Sequence, residues 1–346
     1  MNMRFSKSDV FYYVTSFVVL MFLGYLIGQL VAPEQSSRTG LYTWVYLGTI
    51  AILVYEGLHR CEYEYLNKMI FIFAAVAIIF QLLLYEYSIN VSIRFLGARL
   101  WFRSGRRYSG GAPNPHQVAL MFCVIFFIFL RRMYQRKNFV FCVLAAGATF
   151  FLLQKTESAT GIMSVALGTI TYVYLLIINS FDKRKRLPYS ALFTITLAMV
   201  LVVFYDKISA FIVRWIKNDS NGEGRLSIFS TFGDAFWKSP IFGLGPGGHS
   251  WSNSLGKYIE LHNTYLEVGA ATGSVGLLLL FVFTYRTVKK LYKADWSLIP
   301  IMVALYAFGF SGFAMRRLIY WTVLCFIVAI SDSLLREKEA YNDNRI

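Results

Sequence analysis

Apolar runs of membrane-spanning length recur along this chain, and nothing else in it narrows the possible folds so far. Inside a bilayer every backbone N–H and C=O must bond within the protein, which leaves helices or a closed barrel. The runs here are long and continuous rather than alternating, so helices are expected. With 57% hydrophobic and 15% charged residues, the 346-residue chain is far from the usual make-up of a soluble domain. We read ten spans, at about 10–32, 41–55, 69–85, 116–130, 138–153, 160–180, 189–205, 263–285, 297–314 and 318–335. The fold class is therefore all-α, a polytopic membrane bundle of about ten (ten to twelve) helices forming one integral membrane domain over residues 1–346. Val10 to Ala32 is too long for the core of a signal peptide and is followed by Pro33, so it is expected to be retained.

Basic residues orient the bundle. With the N-terminus inside, the short inner segments hold nineteen Lys and Arg, among them Arg131, Arg132 and the run Lys183 to Arg186. The short outer loops hold Arg38, Lys155, Arg316 and Arg317. Lys and Arg collect on the cytoplasmic side of short loops, so both termini are expected there. Two long loops then face outward, 86–115 and 206–262. No cysteine pair faces an oxidising compartment, no zinc spacing exists, and no Asp-x-Asp suggests a divalent cation, so neither metal nor cofactor is expected. Nor does the chain carry a phosphate-binding glycine loop or a dinucleotide fingerprint. The spans are nearly free of charge at mid-depth, which argues against a transporter or flippase.

The first long loop carries Arg94, Arg99, Arg103, Arg106 and Arg107 against the single acid Glu86, with no lysine. A guanidinium grips phosphate with two parallel donors, so five arginines suggest an anion site, with lipid headgroups the plainer reading. The loop closes on Gly110, Gly111 and two prolines, and Pro115 is suited to open the next helix. The second long loop mixes Lys207, Arg214, Lys217, Arg225, Lys238 and Lys257 with Trp215, Trp237, Trp251 and Tyr258. Such rings anchor at membrane surfaces or stack on sugars. Leu226 to Phe236 reads as an amphipathic helix lying at the interface. From Arg225 the loop runs to His262 and Asn263 and turns directly into an apolar span. Gly269, Gly273 and Gly276 follow, and in a straight helix they share one face with His262, bare for close packing against another helix.

The ordered set Gly224-Arg225, Pro240-Ile241-Phe242-Gly243-Leu244-Gly245, His262-Asn263 and Gly273-Ser274-Val275-Gly276 resembles the O-antigen polymerase/ligase family of integral membrane glycosyltransferases. His262 through Gly276 meets in full the pattern of a His or Arg, an amide, nine residues, Gly, two residues and Gly. The stretch ending at Asn114, with Arg106 or Arg107 before it, is a looser match. Ser158-Ala159 stands where the family often has Ser-Arg, with Lys155 as a substitute. The resemblance implies a GT-C-like bundle in the bacterial inner (plasma) membrane and metal-independent transfer from an undecaprenyl-diphosphate-linked oligosaccharide on the outer face. It implies His262 and Arg225 as catalytic residues, with Arg225, Arg106 and Arg107 on the diphosphate. Asn263, Asn114, Gly243 and Gly245 would support them. Polymerase is expected ahead of ligase, with a lipid-linked glycan flippase a further alternative. Expected partners are membrane lipids, a flippase and a chain-length regulator, and no nucleic acid.

Overall fold

A computed structural model describes residues 9–87, 92–95, 98–104, 106–112, 114–217, 225–252 and 255–343. The helices in chain order are α1 (Asp9–Val31), α2 (Arg38–His59), α3 (Tyr63–Tyr87), α4 (Pro115–Tyr134), α5 (Phe139–Lys155), α6 (Ala159–Ser180) and α7 (Lys183–Val203). Then come α8 (Tyr205–Lys217), α9 (Arg225–Ser230), α10 (Phe232–Phe236), α11 (Thr264–Asp295), α12 (Ile299–Phe308) and α13 (Leu318–Asp343). Each of the ten expected spans falls on one of α1–α7 or α11–α13. Among the described residues, eight stretches are long and apolar enough to cross a membrane, one of them running 264–308 across α11 and α12; α5 is a shorter apolar helix.

Two corrections concern the long loops. The first is not an irregular polar loop: it holds an antiparallel sheet of β1 (Ser92–Phe95), β2 (Ala98–Ser104) and β3 (Arg107–Ala112), in which Arg94 pairs with Arg99 and Arg103 with Tyr108. Ser-Ile-Arg-Phe alternates polar and β-forming residues, and Arg-Leu-Trp-Phe-Arg sets three apolar residues, two of them aromatic, between two arginines. The side chains of Arg94, Arg99 and Arg103 lie outside the described residues. The second correction is that Leu226 to Phe236 is not one helix. It breaks at Thr231 into α9 and α10, and the strongly two-faced helix is α8, where Asp206, Lys207, Arg214 and Lys217 fall within an arc of about 100°. The side chains of Arg214, Trp215 and Lys217 lie outside the described residues. A second, two-stranded hairpin, β4 (Ser250–Ser252) with β5 (Lys257–Ile259), leads to His262.

Because successive spans alternate in direction, the sheet, the hairpin and the start of α11 gather at one end, the loop end. The α4–α5, α6–α7 and α11–α12 turns gather at the other, the basic end. α4 lies deepest, packed against α3, α5, α6, α12 and β3, with Phe122, Phe127 and Phe129 buried. α13 packs on α2, α3 and α11, and α1 on α2 and α11, around Tyr13, Phe17, Trp44 and Trp321. Side-chain pins hold the basic end. Arg131 on α4 bonds Asp295 at 2.7 Å as well as Asn67, and Lys290 joins Asp332 at 2.8 Å and Asp9 at 3.4 Å. A buried ion pair of the Arg131–Asp295 kind is costly to break, because it strands a charge.

Candidate active site

The second long loop enters the bundle through a break in α11. At Gly273 the backbone leaves the helix, with φ 64° and ψ −163°. A break frees carbonyls before it and N–H groups after it, and these must find partners. The turn 240–245 supplies them. Leu244 N donates to Ala270 O (2.8 Å) and Gly245 N to Ala271 O (2.9 Å), while Ser274 N donates to Pro240 O (2.8 Å) and Val275 N to Ile241 O (3.3 Å). The turn fits because its neighbours lack side chains. A Cβ at Gly273 would lie inside 3.0 Å of Ile241 backbone, and one at Gly243 inside 3.0 Å of Ala271 and Thr272. At Gly245 it would strike Tyr25, and on α1 the same holds for Gly24 and Gly28 against residues 242–245. Gly243 and Gly245 also take left-handed φ of 73° and 76°.

The expected bare stripe is therefore corrected. Gly269 faces the Phe232 ring, Gly273 the turn 240–245, and Gly276 the side chain of Thr272. The break rotates the second half of α11, so a straight-helix projection fails beyond it. His262 stands before the helix, with φ 51°, and shares no helical face with the glycines.

Asn263 is the N-cap of α11. Its Oδ1 accepts from Tyr265 N (2.9 Å) and Leu266 N (3.1 Å), and its Nδ2 donates to Phe310 O (3.1 Å). Thr264 Oγ1 donates to Gly312 O (2.8 Å) and accepts from Ala314 N (2.9 Å). These bonds tie the start of α11 to the α12–α13 connection. Ser37 N donates to Pro246 O (2.7 Å), which ties the loop to the α1–α2 connection. Between these connections and the hairpin lies a cleft of about 750 Å³. His262, half-buried, lines it with Arg38, Lys257, Arg316, Glu34 and Glu260, and Trp44 and Phe313 contribute aromatic surface. Arg316 is ion-paired to Glu260. Burial lowers the pKa of the Arg316 guanidinium, and neighbouring Arg317 adds to the effect. Arginine stays charged at neutral pH regardless, so this marks a partly desolvated cation.

Among the described side chains, Arg106, Arg107, Asn114 and Lys155 do not line that cleft. The Arg225 backbone starts α9, and its side chain lies outside the described residues. Arg106 is exposed in the β2–β3 turn, and neither it nor Arg107 lines the cleft. Arg107 donates from Nε to Thr156 O (3.0 Å) and sits 3.5 Å from His116 Nε2, whose Nδ1 is 3.0 Å from Ser158 Oγ. Burial lowers the Arg107 pKa. Asn114 is the N-cap of α4, its Oδ1 accepting from His116 N at 2.6 Å. Lys155 lies over the Phe151 ring. Sequence reasoning missed three residues. Arg38 opens α2 and Arg316 lies in the α12–α13 connection, with no motif around either. His249 sits among glycines; it is buried against Glu267 with Nδ1 to Oε2 at 2.7 Å.

Residues 143–281 match the family model described as O-antigen ligase. That segment is similar to the O-antigen ligase family, and it lies within a multi-pass membrane protein. It runs from α5 through the hairpin and the start of α11 to just beyond the break at Gly273, and so takes in Arg225, Gly243, Gly245, His262 and Asn263. Arg38, Arg106, Arg107, Asn114 and Arg316 fall outside it. No curated protein matches the chain. The match supports transfer chemistry of the O-antigen ligase and polymerase type, acting on a lipid-linked glycan.

Proposed function

We propose that this protein polymerises polyprenyl-diphosphate-linked oligosaccharide repeat units on the outer face of the plasma membrane. One observation carries the reading: His262, in the segment that matches the O-antigen ligase model, opens onto a cleft that also holds Arg38, Lys257 and Arg316. A hydroxyl of the acceptor sugar attacks the donor's anomeric carbon. The bond from that carbon to the diphosphate oxygen breaks, and lipid diphosphate leaves with the electron pair. His262 takes the hydroxyl proton, a role in which histidine is the side chain most often used. Arg225 and the cleft cations Arg38 and Arg316 neutralise the leaving diphosphate, and Arg106 and Arg107, which do not line that cleft, take no part in this step. Asn263 and the glycines at 243 and 245 hold His262 in place.

The test is purified protein with lipid-linked repeat units, read on gels beside a donor-binding measurement. His262→Gln should bind donor as wild type does and lose about 10²–10⁴ in rate, because an amide takes no proton at neutral pH. Turnover near the wild-type rate would move the base elsewhere. The description of the matched family favours a second reading, a ligase that moves finished glycan onto lipid A core. The surface polysaccharide of a deletion strain separates the two. Single repeat units on core mean polymerase, and bare core with free lipid-linked polymer means ligase.

A further inference from the structure

We propose that the buried pair His249–Glu267 is the device that positions His262; the proposal rests on His262 being the base. Both side chains are fully buried, with relative exposures of 0% and 1%. Glu267 lies in the first turn of α11, and its Oε1 accepts from Leu261 N, on the residue immediately before His262. Its Oε2 faces His249 Nδ1 at 2.7 Å, and His249 Nε2 faces Gly245 O at 3.0 Å. His249 N donates to Ile259 O (2.8 Å), which places the ring at the root of the hairpin. A single carboxylate therefore joins the start of α11, the strand leading to His262 and the turn that fills the helix break.

The ring between them has an oxygen acceptor at each nitrogen. A carbonyl oxygen only accepts, so Nε2–H donates to Gly245 O, and Nδ1 is left facing the carboxylate. His262 itself has a φ of 51°, a left-handed conformation that a non-glycine residue keeps only where its surroundings impose it. Glu267 fixes the residue before it and the Asn263 cap fixes the residue after it. A catalytic group displaced by about 1 Å loses on the order of 10² in rate, so this clamp is where the base gains its aim.

The test compares Glu267→Asp, Glu267→Gln and His262→Gln in the same turnover and donor-binding assays, with membrane insertion checked for each. Aspartate keeps the charge but is shorter by one carbon–carbon bond, about 1.5 Å, and cannot reach Leu261 N and His249 together. We expect kcat to fall at least tenfold with the donor KM within about threefold of wild type. Glutamine keeps the length, accepts from Leu261 N and donates to a neutral His249. We expect it to retain kcat within about threefold. A wild-type kcat in Glu267→Asp, or a raised KM with kcat unchanged, overturns the positioning role. A Glu267→Gln as inactive as His262→Gln also overturns it, because Glu267 would then take part in the chemistry itself. If His262→Gln is active, the base assignment falls and this proposal with it. If His262→Gln is dead and Glu267→Asp fully active, only the proposal falls.

Discussion

Gly273→Ala tests whether the helix break is built by the loop that fills it. At φ 64° and ψ −163° the backbone occupies a region that is essentially reserved for glycine, and holding a side chain there costs about 1–3 kcal/mol. A methyl group would lie inside 3.0 Å of Ile241 O, Ile241 C and Phe242 N, all rigid backbone atoms. The turn must then withdraw, stretching the bonds from Ser274 N to Pro240 O and from Val275 N to Ile241 O, each worth about 0.5–1.5 kcal/mol net. The sum is roughly 2–6 kcal/mol. Gly57→Ala on α2 and Gly147→Ala on α5 are the controls, since a Cβ at either meets nothing within 4 Å. Mid-helix alanine in place of glycine should be neutral or stabilising there, by about 0.5–1 kcal/mol. Unfolding of the purified protein in mixed micelles with rising dodecyl sulfate, followed by tryptophan fluorescence, gives the three values side by side. Gly273→Ala should also lose turnover, because the displaced turn carries Gly245 O, the partner of His249. A Gly273→Ala protein within about 1 kcal/mol of the controls and fully active would refute the reasoning.

Three further outcomes are expected. Asn263→Ala removes a cap with two accepted bonds and the tie to Phe310, and should destabilise the protein by about 1–2 kcal/mol in the same titration; Asn263→Asp, which keeps the cap oxygen, should recover most of that. Arg225→Lys should insert normally yet lose most turnover, because lysine keeps the charge and loses the two-pronged fork; full activity would show that the fork is not needed. In a Cys61→Ser background, Lys257→Cys should react with an impermeant thiol reagent added from outside and Arg184→Cys should not, and the reverse pattern would invert the proposed orientation.

The bundle was legible because its signal is length and apolarity, and burial in a membrane leaves a helix few alternatives. Each expected span therefore met a helix. Asn114 before Pro115 and Asn263 before Thr264 could be read as helix starts, and both are N-caps. The glycines were legible as places of close approach but not by what approaches. Spacing alone cannot tell a helix face that meets a helix from a helix break that meets a loop, because both require the missing Cβ. The small sheet was hidden inside a loop whose arginines drew attention to charge and away from its alternation. Arg38 and Arg316 reach the cleft from positions more than 200 residues from its other wall on one side and about 50 on the other, a distance that no local pattern encodes. His249 was concealed by Gly247 and Gly248, which made its surroundings look like an ordinary turn.

The break in α11 and the turn 240–245 are one structural unit, and this bears on where a polar site can exist in such a chain. Backbone polar groups exposed to hydrocarbon cost several kcal/mol each, so neither a broken span nor an inserted loop is tolerable alone. Here the two cancel. The carbonyls of Ala270 and Ala271 take the N–H groups of Leu244 and Gly245, and the N–H groups of Ser274 and Val275 take the carbonyls of Pro240 and Ile241. The first half of α11, from Thr264 to Thr272, thereby becomes a short helix held at both ends: by Asn263 at its start and by the turn at its break. Glu267 in its first turn is the favourable sign of charge for that end of a helix, so a buried acid is tolerated there at reduced cost. A long uninterrupted span could tilt or slide in the membrane and carry His262 with it. A short segment pinned to α1 through the glycines at 24 and 28, and to the α12–α13 connection through Asn263 and Thr264, cannot. The glycines recognised in the sequence thus fix the short helix that begins beside His262, and in the proposed reaction that rigidity would hold the histidine between its two substrates.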